Sequence, residues 1–437
     1  LTLTKTHSSP TTLAVSNKKV FAGNLQNFTN SWKAVTQSPT ILSWISGYRI
    51  PFCKKPPPSS IKSISNSSVK DIPFLNQAIA DLLSMKAIEK CRPCANQFVS
   101  PIFLTDKSNG KKRFILNLKN LNKYVIAPHF KMEDYRTVMR LLSRGCFLSS
   151  VDLKDAYFSV AIHPNYRRFL RFKFNRQLYQ FTCLPFGLSS APFCFTKLMK
   201  PIVTLLREKG ILCVNYLDDF LVFGESFYDC LENTKCLVQL LESLGFTVNK
   251  EKSCLTPNTA QHFLGFIFDS VGMEIVLPVE KKENIRKLAI RFKNKSSCKI
   301  RDLAKFIGIL VSACPAVKYG WLYLKSLERE KYLALRRKNM NFDAIMPIPS
   351  HLQSDLIWWE EKILNSSNII IKDNFETELF TDASLTGWGA CCGLEKTFGF
   401  WGHLERMSHI NLLELRAIFY GLKCFANNIS NCNILLR

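Results

Sequence analysis

The chain has 437 residues, 47% of them hydrophobic, with 59 Lys and Arg against 34 Asp and Glu and a formal net charge of +25. That length predicts two or three domains with real cores, and the charge excludes a neutral surface in favour of a polyanionic partner, nucleic acid first. No apolar run reaches the ~18 residues of a membrane span and no secretory leader is visible; the sixteen cysteines, several in apolar runs (Cys146, Cys183, Cys194, Cys213), are expected to be reduced core residues of an intracellular protein.

Residues 1–65 are rich in Ser, Thr, Asn, Lys and Pro, including Pro56-Pro57-Pro58, and are expected to be disordered or loosely ordered. Val69–Ile88 follows with Ile72, Leu75, Ile79, Leu82 and Leu83 on one helical face. A strand over Phe98–Leu104, a turn at Ser108-Asn109-Gly110 and a returning strand Arg113–Leu118 predict a hairpin. Met132–Leu142 reads as a helix leading into a strand that ends at Asp152. A second hairpin is expected around Asn175-Arg176, and then an amphipathic helix over Ser190–Glu208 that stops at Gly210. Two strand-like runs, Ile211–Asn215 and Phe220–Gly224, flank Tyr216-Leu217-Asp218-Asp219, and the helix Asp229–Leu244 comes next. Pro278–Lys372 is expected to be largely helical and basic, with Lys281, Lys282, Arg286, Lys287, Arg291, Lys293 and Lys295 in one stretch. From Thr377 the character changes to strand, turn, strand, a third strand at Phe398–Trp401, a helix capped by Ser408 and running to Phe425, and a last strand at Cys432–Leu436. Residues 373–437 hold five Lys/Arg and seven Asp/Glu, so the excess positive charge lies in the first 372.

Adjacent carboxylates at the tip of an apolar hairpin repel each other, and apolar flanks limit screening by water. Asp218-Asp219 is therefore expected to hold divalent cations rather than to be a solvated turn. Asp152, 66 residues earlier, is the candidate third carboxylate, delivered to a sheet edge by its own strand.

The segments VDLKDAYFSVAIHP (151–164), LPFGLSSAPFCF (184–195), YLDDFLVFG (216–224), LGFTVNKEKSCL (244–255) and FLGFIFDSVGMEI (263–275) fit in letters, order and spacing. In these segments the chain resembles reverse transcriptases of the LTR-retroelement type. The resemblance implies an α+β fold: a right-hand polymerase with fingers and palm at 66–275, thumb and connection at 276–372, and a partial ribonuclease H-like α/β module at 373–437. It implies an RNA-directed DNA polymerase working by two-Mg²⁺ phosphoryl transfer (Mn²⁺ as a possible substitute), with RNA template, DNA primer, RNA–DNA hybrid and deoxynucleoside triphosphates as partners and no membrane. LAKFIGILVSACPAVKYGWLYLKSLE (303–328) and DLIWWEEKI (355–363) resemble the corresponding segment of DIRS-type elements, which carry a tyrosine recombinase.

By motif position Asp152, Asp218 and Asp219 are the catalytic metal ligands, with Asp152 and Asp218 bridging and Asp219 peripheral. The Leu153 carbonyl is a further candidate metal contact. Tyr157 matches a steric gate against the ribose 2′-hydroxyl. Arg113 matches the triphosphate clamp, a role suited to a bidentate guanidinium, and Lys107 is a weaker second. Phe186 and Gly187 match the nucleotide-binding loop, where many retroviral relatives have a polar residue in place of Phe186. Lys252 resembles a lysine that protonates pyrophosphate, and Phe263, Leu264 and Gly265 match the primer grip. LFTDASLTGWGA (379–390) and LLELRAI (412–418) resemble ribonuclease H and place Asp382 and Glu414 at its metal site; further acids of that fold would lie beyond Arg437, so the module is expected to be truncated. Two other readings stay open: an RNA-templated RNA polymerase, disfavoured by Tyr157 and the ribonuclease H-like tail, and a degenerate or domesticated fragment that only binds nucleic acid.

Overall fold

The structure is a computed structural model that describes residues 21–59, 71–106, 112–370, 375–427, 429–430 and 432–437. It divides into two units, one up to Ile369 and one from Ile370 onward. The centre of the first is a four-stranded sheet in the order Cys213–Tyr216, Asp219–Gly224, Phe147–Asp152, Cys254–Asn258. Phe220, Leu221, Val222 and Phe223 are all buried, as a strand covered on both faces requires. Two helices pack on the sheet, Ala191–Glu208 and Phe227–Ser243. The first buries Cys194, Phe195, Leu198, Met199, Ile202 and Leu206 at helical spacing. The second starts at Ser226, whose Oγ accepts from Asp229 N at 3.2 Å.

Beside this sheet stand a three-stranded sheet (Ile88–Cys91, Gln177–Phe181, Arg171–Phe174) and the hairpin Ile102–Asp106/Lys112–Leu116. Asn175 and Arg176 both take positive φ, as a two-residue turn between twisted strands demands. The first strand of the 102–116 hairpin starts later than expected, because Phe98 and Val99 bridge to Ser59 and Arg171 instead. The expected turn at 108–110, and Lys107 with it, lies outside the described residues. The helix Ile72–Ser84 buries Leu75, Ile79 and Leu82 of the face read from periodicity, while Leu83 is half-buried and Ile72, at the start of the helix, is exposed.

The expectation for residues 1–65 is corrected over 21–59. Leu25, Trp32, Ile45, Tyr48 and Ile50 are buried in the main core. Trp32 Nε1 donates to Leu244 O at 3.0 Å, and Tyr48 bridges to Ile162. Composition suggested looseness because the polar residues outnumber the few anchors; those anchors are large and fully enclosed.

Beyond the central sheet, Ala260–Phe263, Phe266–Asp269 and Glu274–Val276 form a meander that Ser367–Ile369 completes. A boundary at 275/276 therefore cuts through a sheet. Between them lie the expected helices, Val279–Lys293, Ile300–Ala313, Lys325–Arg337 and Gln353–Lys362. The second unit has a sheet in the order Glu395–Phe400, Gly387–Cys392, Thr377–Ala383, Ile434–Leu436, the last pair parallel, with the helix Ile410–Phe425 against it. His409, rather than Ser408, caps that helix, its Nδ1 accepting from Asn411 N at 3.2 Å. Among the described residues no helix is long and apolar enough to cross a membrane.

Candidate active site in the central sheet

The three acidic residues converge. Asp152, at the end of its strand, lies directly across from Asp219, and Tyr216 pairs Asp219 on the other side. Leu217 and Asp218 form the two-residue tip, with Leu217 at φ 54°, a conformation that costs a branched side chain energy. A polar network behind the tip holds it there. Asn215 Nδ2 donates to Leu217 O at 2.9 Å and Asp219 O at 3.3 Å. Asn215 N donates to Glu133 Oε2 at 3.0 Å, and Arg207 ties Glu133 Oε1 and Cys213 O at 2.6 Å each. Leu153 N donates to Asp218 O at 2.9 Å and joins the two halves.

Like charges facing each other across a strand pair destabilise it unless something offsets them. Burial, with the Asp218 and Asp152 charges adding to it, pushes the Asp219 carboxyl up to about 7, and Asp152 lies within hydrogen-bonding reach. Burial, then Asp152, also raises Asp218. Lys252 Nζ stands 3.8 Å from Asp152 Oδ2 and offsets part of the charge. Asp152 itself is only 9% exposed. Among the described residues no three His, Cys, Asp or Glu side chains form a ready-made metal cage. Magnesium does not need one, since it takes one or two carboxylates and fills its shell with water and phosphate oxygens. Crowded carboxylates with raised proton affinity, half open to a cavity, fit such an ion.

Asp218 faces a cavity of about 460 Å³ whose lining includes Arg113, Leu153, Phe186, Asn249 and Lys252. Asp152 and Asp219 face a smaller one of about 170 Å³, lined also by Lys252, Phe263, Leu264 and Gly265. The carboxylates thus separate the expected nucleotide residues from the expected primer-grip residues. Asp219, expected to be peripheral, is the partner directly opposite Asp152. Tyr157 packs on Phe186 with ring centroids 5.1 Å apart, and Phe186 is itself exposed. Burial and the nearby Asp218 raise the Tyr157 hydroxyl, which stays protonated. Gly187 has φ 92°, and its carbonyl accepts from Asn122 Nδ2 at 2.8 Å, while Asn122 Oδ1 accepts from Ser189 N at 3.0 Å. Leu264 and Gly265 make the turn between paired Phe263 and Phe266, and Lys281 Nζ donates to Gly265 O at 2.9 Å. In the second unit Asp382 is exposed on its strand and Glu414 is half-buried on the adjacent helix.

Residues 105–268 match the family described as reverse transcriptase (RNA-dependent DNA polymerase). The chain carries a reverse transcriptase domain. It is of the kind found in retroelement and retrovirus-type polyproteins. The chain is 27% identical over 366 residues to the enzymatic polyprotein of figwort mosaic virus, covering 79% of this chain and 51% of the viral protein. It is 25% identical over 340 residues to the retrovirus-related Pol polyprotein from transposon gypsy of Drosophila melanogaster, covering 74% and 31%. The chain thus spans about half or less of these relatives. A solved foamy viral protease–reverse transcriptase in complex with RNA/DNA hybrid superposes with a TM-score of 0.63 at 16% identity, over 98% of this chain and 59% of that one. The same viral protein with its dRH form on double-stranded DNA gives 0.62 at 18%, over 98% and 76%. The fold is accordingly that of a right-hand polymerase, with the Asp152–Asp219 sheet at the centre of its first unit.

Motif reading missed Asn249, Asn122, Asn215 and Glu133, which hold the site's backbone and side chains. Asn249 lies inside a quoted motif, and Asn215 directly precedes another and bonds to its Leu217 and Asp219 carbonyls; Asn122 and Glu133 carry no local signal, because their partners come from distant segments.

Proposed function

We propose that the protein is an RNA-directed DNA polymerase that adds deoxynucleotides to a DNA primer on an RNA template. The observation that carries this reading is the convergence of Asp152, Asp218 and Asp219 between two cavities, one bordered by Arg113 and Phe186 and the other by Phe263–Gly265. Asp152, Asp218 and Asp219 would hold Mg²⁺, with Mn²⁺ as a substitute, and bound cations would supply Lewis-acid activation of the primer hydroxyl and charge neutralisation for the pyrophosphate. Arg113 clamps the triphosphate, Tyr157 under Phe186 closes the space beside the sugar, and Gly187 lets backbone approach the nucleotide. Lys252 gives a proton to pyrophosphate, and the 263–265 turn holds the primer end. The foamy viral neighbours hold double-stranded DNA and an RNA/DNA hybrid, which supports nucleic-acid partners here. The basic helix Val279–Lys293 suits a phosphate backbone.

The same reading takes the second unit as ribonuclease H-like, with Asp382 and Glu414 as metal ligands. It assigns the element to the DIRS-like branch on segments 303–328 and 355–363, and places the protein inside the cell. The test is primer extension on RNA with Mg²⁺. Wild-type protein should extend the primer, and Asp218→Asn should lose at least about 10³-fold in rate. Salt-sensitive binding without extension by the wild type would overturn the enzyme reading.

A further inference from the structure

Asp152 is gripped by one short segment, Asn249–Ser253, through nearly every polar group it has. Its N–H donates to Ser253 Oγ at 2.9 Å, and that hydroxyl donates onward to Asn249 O at 2.7 Å. Asn249 N donates to Asp152 O at 2.8 Å, and Asn249 Nδ2 donates to Asp152 Oδ1 at 2.7 Å. The ring is closed, and its register is fixed by a bridge between Leu153 and Val248 and by the bond from Lys154 N to Thr247 O at 2.8 Å. Segment 247–249 therefore continues the central sheet just past the strand that ends in Asp152.

We propose that Asn249 is the positioning residue of Asp152: its amide holds Oδ1 and leaves Oδ2 as the oxygen presented to the reaction. An amide suits this task. It donates to a carboxylate oxygen without cancelling its charge, whereas a lysine would neutralise the acid and an aspartate would repel it. Lys252, in the same segment, stands on the Oδ2 side, so one turn both orients the carboxylate and tempers its free oxygen. Partners of this kind behind a metal-binding carboxylate set the ligand's direction and basicity, and removing one costs roughly 10–100-fold in metal affinity or activity.

The inference rests on the polymerase reading, and the test separates the two. Mn²⁺ binding is measured by the resonance of the free ion, without nucleic acid, for wild type, Asn249→Ala, Asn249→Asp and an Asp152→Asn blank. Extension is then followed against deoxynucleotide concentration. Asn249→Ala should bind Mn²⁺ about tenfold more weakly and lower kcat at least about tenfold, with KM for the nucleotide within about twofold. Asn249→Asp, of equal shape but with the donor replaced by a carboxylate, should extend more slowly still. Wild-type Mn²⁺ affinity and kcat in Asn249→Ala would overturn the proposal, and so would a raised KM at unchanged kcat. A melting transition lost in Asn249→Ala would overturn it in favour of a purely structural role. If the wild type itself fails to extend, the polymerase reading falls, while the Mn²⁺ contrast still reports on Asn249.

Discussion

Asp219 concentrates the energetics of the site in one side chain. Its carboxyl is raised from 3.8 to about 7 by burial and by its two acidic neighbours. For an acid raised on folding, the stabilising contribution is present at low pH and is lost as pH rises through the folded value. Asp219→Asn should therefore stabilise the metal-free protein at pH 8 by on the order of 1 kcal/mol, after discounting for partial exposure, and should gain nothing at pH 4. Thermal melts in chelator at the two pH values measure this; equal effects at both would remove the assignment. The same protons compete with the cation, so half-saturating Mg²⁺ should climb as pH falls below about 7. At Tyr157 the argument is steric. Its ring lies against Phe186 and Phe195 at 5.1 and 5.3 Å, and truncation opens that space. Tyr157→Ala should cut discrimination against ribonucleotides by at least about tenfold in primer extension, while Tyr157→Phe, which keeps the ring, should discriminate as wild type does.

At the scale of elements, the N-terminal segment behaves as part of the core. Trp32 is fully buried and makes its hydrogen bond to Leu244 O. Trp32→Ala should cost about 3–5 kcal/mol in denaturant unfolding, and a cost below about 1 kcal/mol would return 21–59 to the loose attachment that its composition suggested. Local pattern was enough for the helices 72–84 and 191–208, the hairpin at Asn175-Arg176 and the Asp218 turn, because each has its own periodicity or turn chemistry. It was not enough where partners are far apart in the chain. The strand Ser367–Ile369 has no distinctive pattern and is defined by its pairing with Glu274–Val276. Asn122 reads as an ordinary loop residue until Gly187 and Ser189 are found on its side chain. Asp218 and Asp219 were legible for the opposite reason, since adjacent acids between apolar strands are costly to keep, and Asp152 was legible from the strand that ends in it and from its motif.

For the whole molecule, charge is the dominant property. The net +25 predicts binding to RNA–DNA hybrid through phosphate contacts and counterion release. Affinity should fall at least about 100-fold between roughly 50 and 200 mM salt, measured by fluorescence anisotropy. A flat salt profile would count against nucleic acid as the partner of the basic surface. The bond from Trp32 to Leu244 spans 212 residues of chain. On a ribosome adding about 5–20 residues per second, the indole waits tens of seconds for its seat to be made. Throughout that interval the N-terminal segment cannot complete its packing, because the carbonyl that receives the indole does not exist until the helix Phe227–Ser243 has been made.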